Sequence, residues 1–261
     1  MTHLTRTDTG AVAHLIMTAP ERLNALSDGM LAALTAELTA IATDPKVRVV
    51  ILSGTGKAFC AGHDLKEMQA GRTAPDKGAA YFADLFARCT ALMLQIQSLP
   101  QPVIAQVHGI ATAAGCQLVA TCDLAVAAIG TKFGVNGVNI GLFCSTPMVA
   151  LTRNIGAKAA FEMLTTGRFI DTDEALRLGL INRAATPENL ASETMALAQT
   201  IAGKLGSAVR VGKRAFYDQA GLTTDAAYAH AGAVMVQNML DADTNEGISA
   251  FLEKRHPDWV Q

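Results

Sequence analysis

Two stretches of this chain place small residues where backbone amides can do chemistry. The first is Lys57-Ala58-Phe59-Cys60-Ala61-Gly62-His63-Asp64-Leu65-Lys66-Glu67-Met68, and the second is His108-Gly109-Ile110-Ala111-Thr112-Ala113-Ala114-Gly115-Cys116-Gln117. Each reads as a strand running into a small-residue turn that opens a helix. Two such turns can aim two N–H groups at one point, and paired donors stabilise an oxyanion. A thioester gathers such charge on its oxygen when its α-carbon is deprotonated or its β-carbon is attacked, so an enolate is one oxyanion that such turns could hold. Asp64 and Glu67 fall at the start of the helix after the first turn, where carboxylates complement the positive end of the dipole. They read as capping groups, so the hole has no acid–base carboxylate beside it.

The elements that carry these turns follow from periodicity. Val12 to Met17 reads as a strand closed by Ala19-Pro20. Leu31, Leu34, Leu38 and Ile41 recur at helical spacing, which predicts an amphipathic helix over 28–43, stopped at Asp44-Pro45. Val47 to Leu52 is a near-continuous β-branched run, the pattern of a strand buried on both faces. Residues 70–78 hold Gly71, Pro75 and Gly78 and read as a mobile surface loop. A long helix over 79–99 ends at Pro100 and Pro102, and buried strands follow at 103–107 and 124–128. Beyond Gly156 the pattern is mostly helical. Asp171 and Glu174 have capping-box spacing, and Pro187 sits where a first helical residue belongs. Helices are expected over 207–220, 224–241 and 243–255. The alternation predicts an α/β fold with parallel pairing, divided into a core over 1–200 and a helical segment over 201–261. A helical tail outside the main core points to an oligomer.

Composition narrows the function classes. The chain has 261 residues, half of them hydrophobic, which is enough for a full core without disulfides. A net charge of −2 with scattered Lys and Arg leaves no footprint for nucleic acid. Five cysteines (Cys60, Cys89, Cys116, Cys122, Cys144) show no metal-ligand spacing and read as buried thiols of a reducing compartment. The polar start with Asp8 is unlike a signal or transit segment, and no apolar run reaches the ~18 residues of a membrane span. The expectation is a cytoplasmic protein without membrane contact.

Taken together, the motifs resemble those of the enoyl-CoA hydratase/isomerase, or crotonase, family. The resemblance rests on Arg22-Leu23-Asn24-Ala25-Leu26, Phe59 to Leu65, Gln106-Val107-His108-Gly109 and Gly115-Cys116-Gln117-Leu118 with Cys122-Asp123. It continues through Lys132-Phe133-Gly134, Thr166-Gly167-Arg168 to Glu174-Ala175, and Glu246-Gly247 to Arg255. It implies a ClpP/crotonase-like spiral of ββα units with a helical C-terminal segment that assembles trimers, or dimers of trimers. It further implies acyl-CoA or enoyl-CoA as substrate, with no metal and no separate cofactor.

Residue by residue, the resemblance makes the backbone N–H groups of His63 and Ala114 the oxyanion donors. The family usually has three glycines where this chain has Ala113-Ala114-Gly115, and alanine is compatible there if its φ is negative. The coenzyme site would draw on Arg22, Ala61, His63, Asp64, Leu65, Lys66 and Ala114, with Lys254 reaching a phosphate across a subunit boundary. The two glutamates that share the water in family hydratases fall on Gln117 and Gly137. Gln117 hydrogen-bonds water without exchanging protons usefully, and Gly137 has no side chain. Acid–base groups typically supply ~10²–10⁴ in rate, so losing both leaves a feeble hydratase at best. Isomerisation, thioester hydrolysis and catalytically silent binding remain open. Leu142 to Pro147 supplies no acid and reads as a helix start capped by Ser145 or Thr146. The His63 side chain is expected to point away from the carbonyl, while Asn136 and Asn139 can order water. No Gly-x-Ser-x-Gly elbow or triad supports a serine hydrolase.

Overall fold

The computed structural model describes residues 3–259. Its elements run β1 (Leu4–Thr9), β2 (Val12–Met17), α1 (Asp28–Ala42), β3 (Val49–Gly54), α2 (Leu65–Gly71), α3 (Ala79–Ser98), β4 (Val103–Val107), β5 (Ile110–Thr112), α4 (Ala114–Thr121) and β6 (Leu124–Ala128). The chain continues through β7 (Lys132–Gly134), α5 (Ser145–Leu151), α6 (Ala157–Thr166), β8 (Phe169–Ile170), α7 (Thr172–Leu178), β9 (Arg183–Ala185), α8 (Leu190–Ala202), α9 (Gly206–Gln219), α10 (Thr224–Met239) and α11 (Ala242–Leu252).

A six-stranded sheet has the order β1-β2-β3-β4-β6-β9, and a smaller sheet has the order β5-β7-β8. In the large sheet only the β1–β2 pair is antiparallel. Alternation along its central strands feeds two cores. Ala13, Leu15, Met17, Val50, Leu52, Ala105 and Val107 point to the larger core, built with α1, α3 and α4. Val12, Val49, Ile51, Ile104 and Val126 face the other way, onto Leu190 and Ala198 of α8. Burial on both faces explains why β3 and β4 lack polar alternation.

Some boundaries differ from the sequence expectation for identifiable reasons. β1 goes unmarked because it is an edge strand whose residues stay largely exposed, so it needs no apolar alternation. α2 extends through Gly71 into the expected loop. Pro187 lies in a turn, and α8 begins after Asn189. α5 starts at Ser145 with Cys144 before it, so neither Ser145 nor Thr146 is the cap. At α7 the Asp171 carboxylate accepts from the Glu174 N–H at 2.9 Å, but the Glu174 side chain turns to Arg168 instead of completing the box.

α9 is tied to the core through one buried ammonium. Lys213 Nζ donates to Ile96 O (2.9 Å), Gln101 O (3.0 Å) and Asp123 Oδ2 (2.7 Å). Asp123 also accepts from Tyr217 Oη (2.8 Å) and from the Val103 N–H (2.6 Å). All three ammonium protons are thus satisfied, as a buried cation requires. Burial lowers the Lys213 pKa, and Asp123 opposes that shift.

Candidate functional site

The two motif turns meet because the segments leading into them pair. Cys60 N–H donates to Ile110 O (3.2 Å) and Thr112 N–H to Cys60 O (3.0 Å), a short parallel ladder between the first turn and β5. The next residues of each segment therefore emerge side by side. A Cβ on Gly62 would lie 2.9 Å from Ala113 Cβ and 3.2 Å from the Ala114 amide nitrogen. One on Gly115 would lie 2.1 Å from Cys60 O, so α4 sits this close to the first turn only with glycine there. Gly62 itself has φ +91°, a conformation that favours glycine.

A loop between β2 and α1 holds the first turn from behind. Asn24, fully buried, accepts from the Ala19 N–H (3.0 Å) and donates to Thr55 O and Ala58 O (both 2.8 Å). The same loop takes Ala61 N–H on Leu23 O (3.0 Å) and sends Leu26 N–H to Gly62 O (2.7 Å). Asn24 has φ +51°, which asparagine tolerates better than most residues. The motif containing Asn24 was visible in the sequence, but its role as a clamp was not.

Two amides are left over at this junction. The His63 N–H and the Ala114 N–H donate to no acceptor among the described residues. Ala114 is the first residue of α4, so its N–H is one of the unpaired donors at a helix start. His63 immediately precedes Asp64, whose carboxylate caps α2 by accepting from Lys66 N–H (2.8 Å) and Glu67 N–H (3.1 Å).

Apart from the Asp64 cap, the side chains flanking the two amides carry no carboxylate. Gln117 lies one helical turn after Ala114, on the same face of α4. It is 5% exposed, and its Oε1 has no hydrogen-bond partner among the described residues. The His63 ring turns toward α3, edge-on to Phe86 with centroids 5.7 Å apart, and Nδ1 lies 3.4 Å from Leu26 O. Burial lowers its pKa. Burial pushes the Cys60 and Cys116 thiols up to about 12, and Cys144 is raised for the same reason. Thr112 Oγ1 donates to Asn136 Oδ1 (2.6 Å), joining β5 to the turn after β7. Asn139 packs under Gly167.

Gly137 is closed in. A Cβ there would stand 2.1 Å from Leu142 O and 2.9 Å from Cys144 Sγ. The sequence showed an absent carboxylate, whereas the structure shows that the backbone leaves no space for one. Only the fold brings Leu142 back onto Gly137, so no sequence signal marks this.

Most of the residues expected at the coenzyme end lie on the first turn and the loop behind it. Arg22 pairs with both Asp64 and Glu67, and Glu67 also accepts the Asp28 N–H (2.8 Å). Ala61 is half-buried, Leu65 is exposed, and Lys66 is exposed with no ion-pair partner among the described residues. Lys254 follows α11, whose surroundings include α10 and the start of α9.

Residues 7–261 match the family model described as enoyl-CoA hydratase/isomerase. The chain belongs to the enoyl-CoA hydratase/isomerase family. It is 44% identical over 250 residues to the Danio rerio enoyl-CoA hydratase domain-containing protein 3, mitochondrial, covering 96% of this chain and 85% of that protein. A crystal structure of enoyl-CoA hydratase from Mycobacterium smegmatis superposes with a TM-score of 0.95 at 53% identity, covering 99% of each chain. The human enoyl Coenzyme A hydratase domain-containing protein 3 gives a TM-score of 0.93 at 40% identity, covering 98% of this chain and 100% of that one. The mixed α/β architecture is therefore the crotonase fold of this enoyl-CoA hydratase/isomerase family.

Proposed function

We propose that the chain binds an acyl-CoA thioester with its carbonyl oxygen between the His63 and Ala114 amides, and that it stabilises the enolate form there. The observation that carries this reading is the pair of unused N–H groups on adjoining turns. Donors fixed in place before the ligand arrives need no reorganisation, and removing one costs ~2.7–4 kcal/mol in comparable sites. Lys66 meets the coenzyme phosphates from the start of α2, Arg22 braces that helix through Asp64 and Glu67, and Lys254 is contributed by a neighbouring subunit.

Hydration of a 2-enoyl thioester is not the main activity in this reading. Gln117 transfers no proton, Gly137 has no space for a carboxylate, and Asp64 and Glu67 are committed to Arg22 and to helix amides. The closed position at Gly137 favours a binding protein, or a thioester reaction that needs only the polarised carbonyl, over a hydratase. The assembly is a trimer or a dimer of trimers. Support comes from α10, which buries none of its own residues, and from exposed Leu240, Phe251 and Leu252.

Turnover of a panel of short 2-enoyl-CoA substrates tests the proposal. The expected result is hydration at least ~10²-fold below that of a family member carrying both glutamates, since each acid–base group typically supplies ~10²–10⁴. Saturable binding of the saturated acyl-CoA should persist. Hydration at full rate by the unmodified chain would overturn the proposal.

A further inference from the structure

The two donors are set in different surroundings. Ala113, which leads into the second, has φ +50° in place of the negative φ expected of alanine, while Ala114 itself keeps negative φ. The first donor belongs to a residue with an imidazole. That ring lies edge-on to Phe86 of α3, and its Nδ1 faces Leu26 O at 3.4 Å. Its Nε2 is closed off from solvent and has no partner among the described residues. The tautomer with its proton on Nδ1 directs that proton at Leu26 O and leaves Nε2 a bare lone pair.

The charged groups around this ring come from three helices. Arg88 of α3 opposes its protonation, and Asp28 at the start of α1 favours it, but Asp28 is itself engaged by Arg88 at 2.7 Å. Tyr81 of α3 faces the same Asp28 and Arg88. On α2, Asp64 and Glu67 are taken by Arg22 and by helix amides. Burial, helped by Arg88, lowers the ring's pKa from 6.5 and keeps it neutral near pH 7 unless further charge arrives.

A negative charge in the hole supplies it. Covalent geometry alone keeps the imidazole roughly 5–9 Å from an oxygen held ~2.9 Å from the His63 amide. Opposite charges ~7 Å apart, at an effective dielectric constant of ~20–40, shift each other's titration by about 1–2 pH units, roughly a 10- to 100-fold effect. We propose that the His63 imidazole is the charge partner of the oxyanion, taking up a proton on Nε2 when an enolate forms between the two amides. The proposal rests on the thioester reading above. The ligand's α-carbon loses its proton to solvent, the C–H electron pair passes to the carbonyl oxygen, and Nε2 takes one proton from solvent, so the complex keeps its net charge. A saturated thioester, whose carbonyl stays neutral, leaves the ring unprotonated.

The test uses acetoacetyl-CoA, a β-dicarbonyl thioester whose enolate is read by its near-ultraviolet absorbance, bound to wild type and to His63→Phe across the acid and neutral range. A phenyl ring preserves the packing on Phe86 and the backbone amide but does not titrate. In wild type the ratio of enolate to keto form should be flat with pH over a window about 1–2 units wide, its lower edge below 6.5. In His63→Phe the ratio should rise about tenfold per pH unit throughout. Arg88→Gln, which removes the cation opposing protonation, should move the upper edge of the window to higher pH. A continuous rise in wild type would overturn the proposal, and an enolate still more abundant than in solution would leave the hole standing. A window that persists in His63→Phe would also overturn it. Should that variant fail to fold, an upper edge that stays put in Arg88→Gln decides against the proposal. If no protein raises the enolate above its solution level, the thioester reading falls and this inference with it.

Discussion

A Cβ on Gly137 would lie 2.1 Å from the carbonyl oxygen of Leu142, closer than any side chain sits to a backbone oxygen. The position where the family resemblance puts a second glutamate is occupied by the chain's own return from Leu142 to Cys144. Gly137→Ala should cost about 1–3 kcal/mol of stability through forced backbone movement. Equilibrium urea unfolding measures this; an unchanged midpoint would mean that the turn yields without cost.

Gln117 presents the opposite case, because its side chain is already accommodated in a buried position one helical turn after Ala114. Gln117→Glu preserves shape and adds a proton-transfer group. Crotonyl-CoA hydration should rise by ~10-fold or more above wild type, within the range that a single acid–base group supplies. Burial should also raise the new carboxyl's pKa, so the rate of the variant should titrate above the usual glutamate range. A steady-state pH profile reads both effects; a rate that stays at the wild-type level would show that this side chain does not reach the reacting carbons.

Asn24 joins the first turn to the loop behind it through three hydrogen bonds in a fully buried position. Asn24→Ala strands an N–H and two carbonyls, a loss of about 2–4 kcal/mol at 1–3 kcal/mol for each unsatisfied buried group, with some recovery by relaxation. Chemical denaturation gives the magnitude. A loss below ~1 kcal/mol would mean that water replaces the clamp.

The helical C-terminal segment depends on Lys213. Lys213→Met removes the cation and leaves Asp123 buried with Tyr217 and one backbone amide, which should cost about 3–5 kcal/mol. Limited proteolysis should then cut between α8 and α9 before the core is touched. Resistance equal to wild type would show that apolar contacts alone dock α9.

Acidification should destabilise the fold through two histidines. His63 and His14 both have pKa values lowered from 6.5 by burial, and His14 Nε2 lies 2.7 Å from Ser53 Oγ. Below 6.5 the unfolded chain therefore binds protons that the folded chain refuses. Their contribution is fully present above about 6.5 and declines as pH falls toward the folded values, with a slope of at most ~1.4 kcal/mol per pH unit for each proton. His14→Gln should flatten part of the slope between pH 6.5 and 5 in urea unfolding; an identical slope would exclude His14.

The sequence disclosed those parts of the fold whose signal is local. β2, β4 and β6 have the expected limits because their apolar runs end at turn residues, and α1 and α3 follow their apolar spacing to within a residue or two. The paired turns were legible because close strand–helix approach demands small residues, as Gly115 against Cys60 shows. What stayed hidden depends on distant partners. Lys213 reads as one more surface lysine until Asp123, Ile96 and Gln101 are seen around it. The positive φ of Ala113 arises from bonds to Gly134 and Gln117, not from its own preference, so alanine there predicts the wrong backbone.

The vibration of the thioester carbonyl tests the central claim most directly. Isotope-edited infrared difference spectra of butyryl-CoA labelled with carbon-13 at the carbonyl report how strongly the bound oxygen is polarised. With the His63 and Ala114 amides donating to it, the carbonyl stretch should move to lower frequency than in solution. A bound ligand whose stretch stays at its solution frequency would contradict the oxyanion hole.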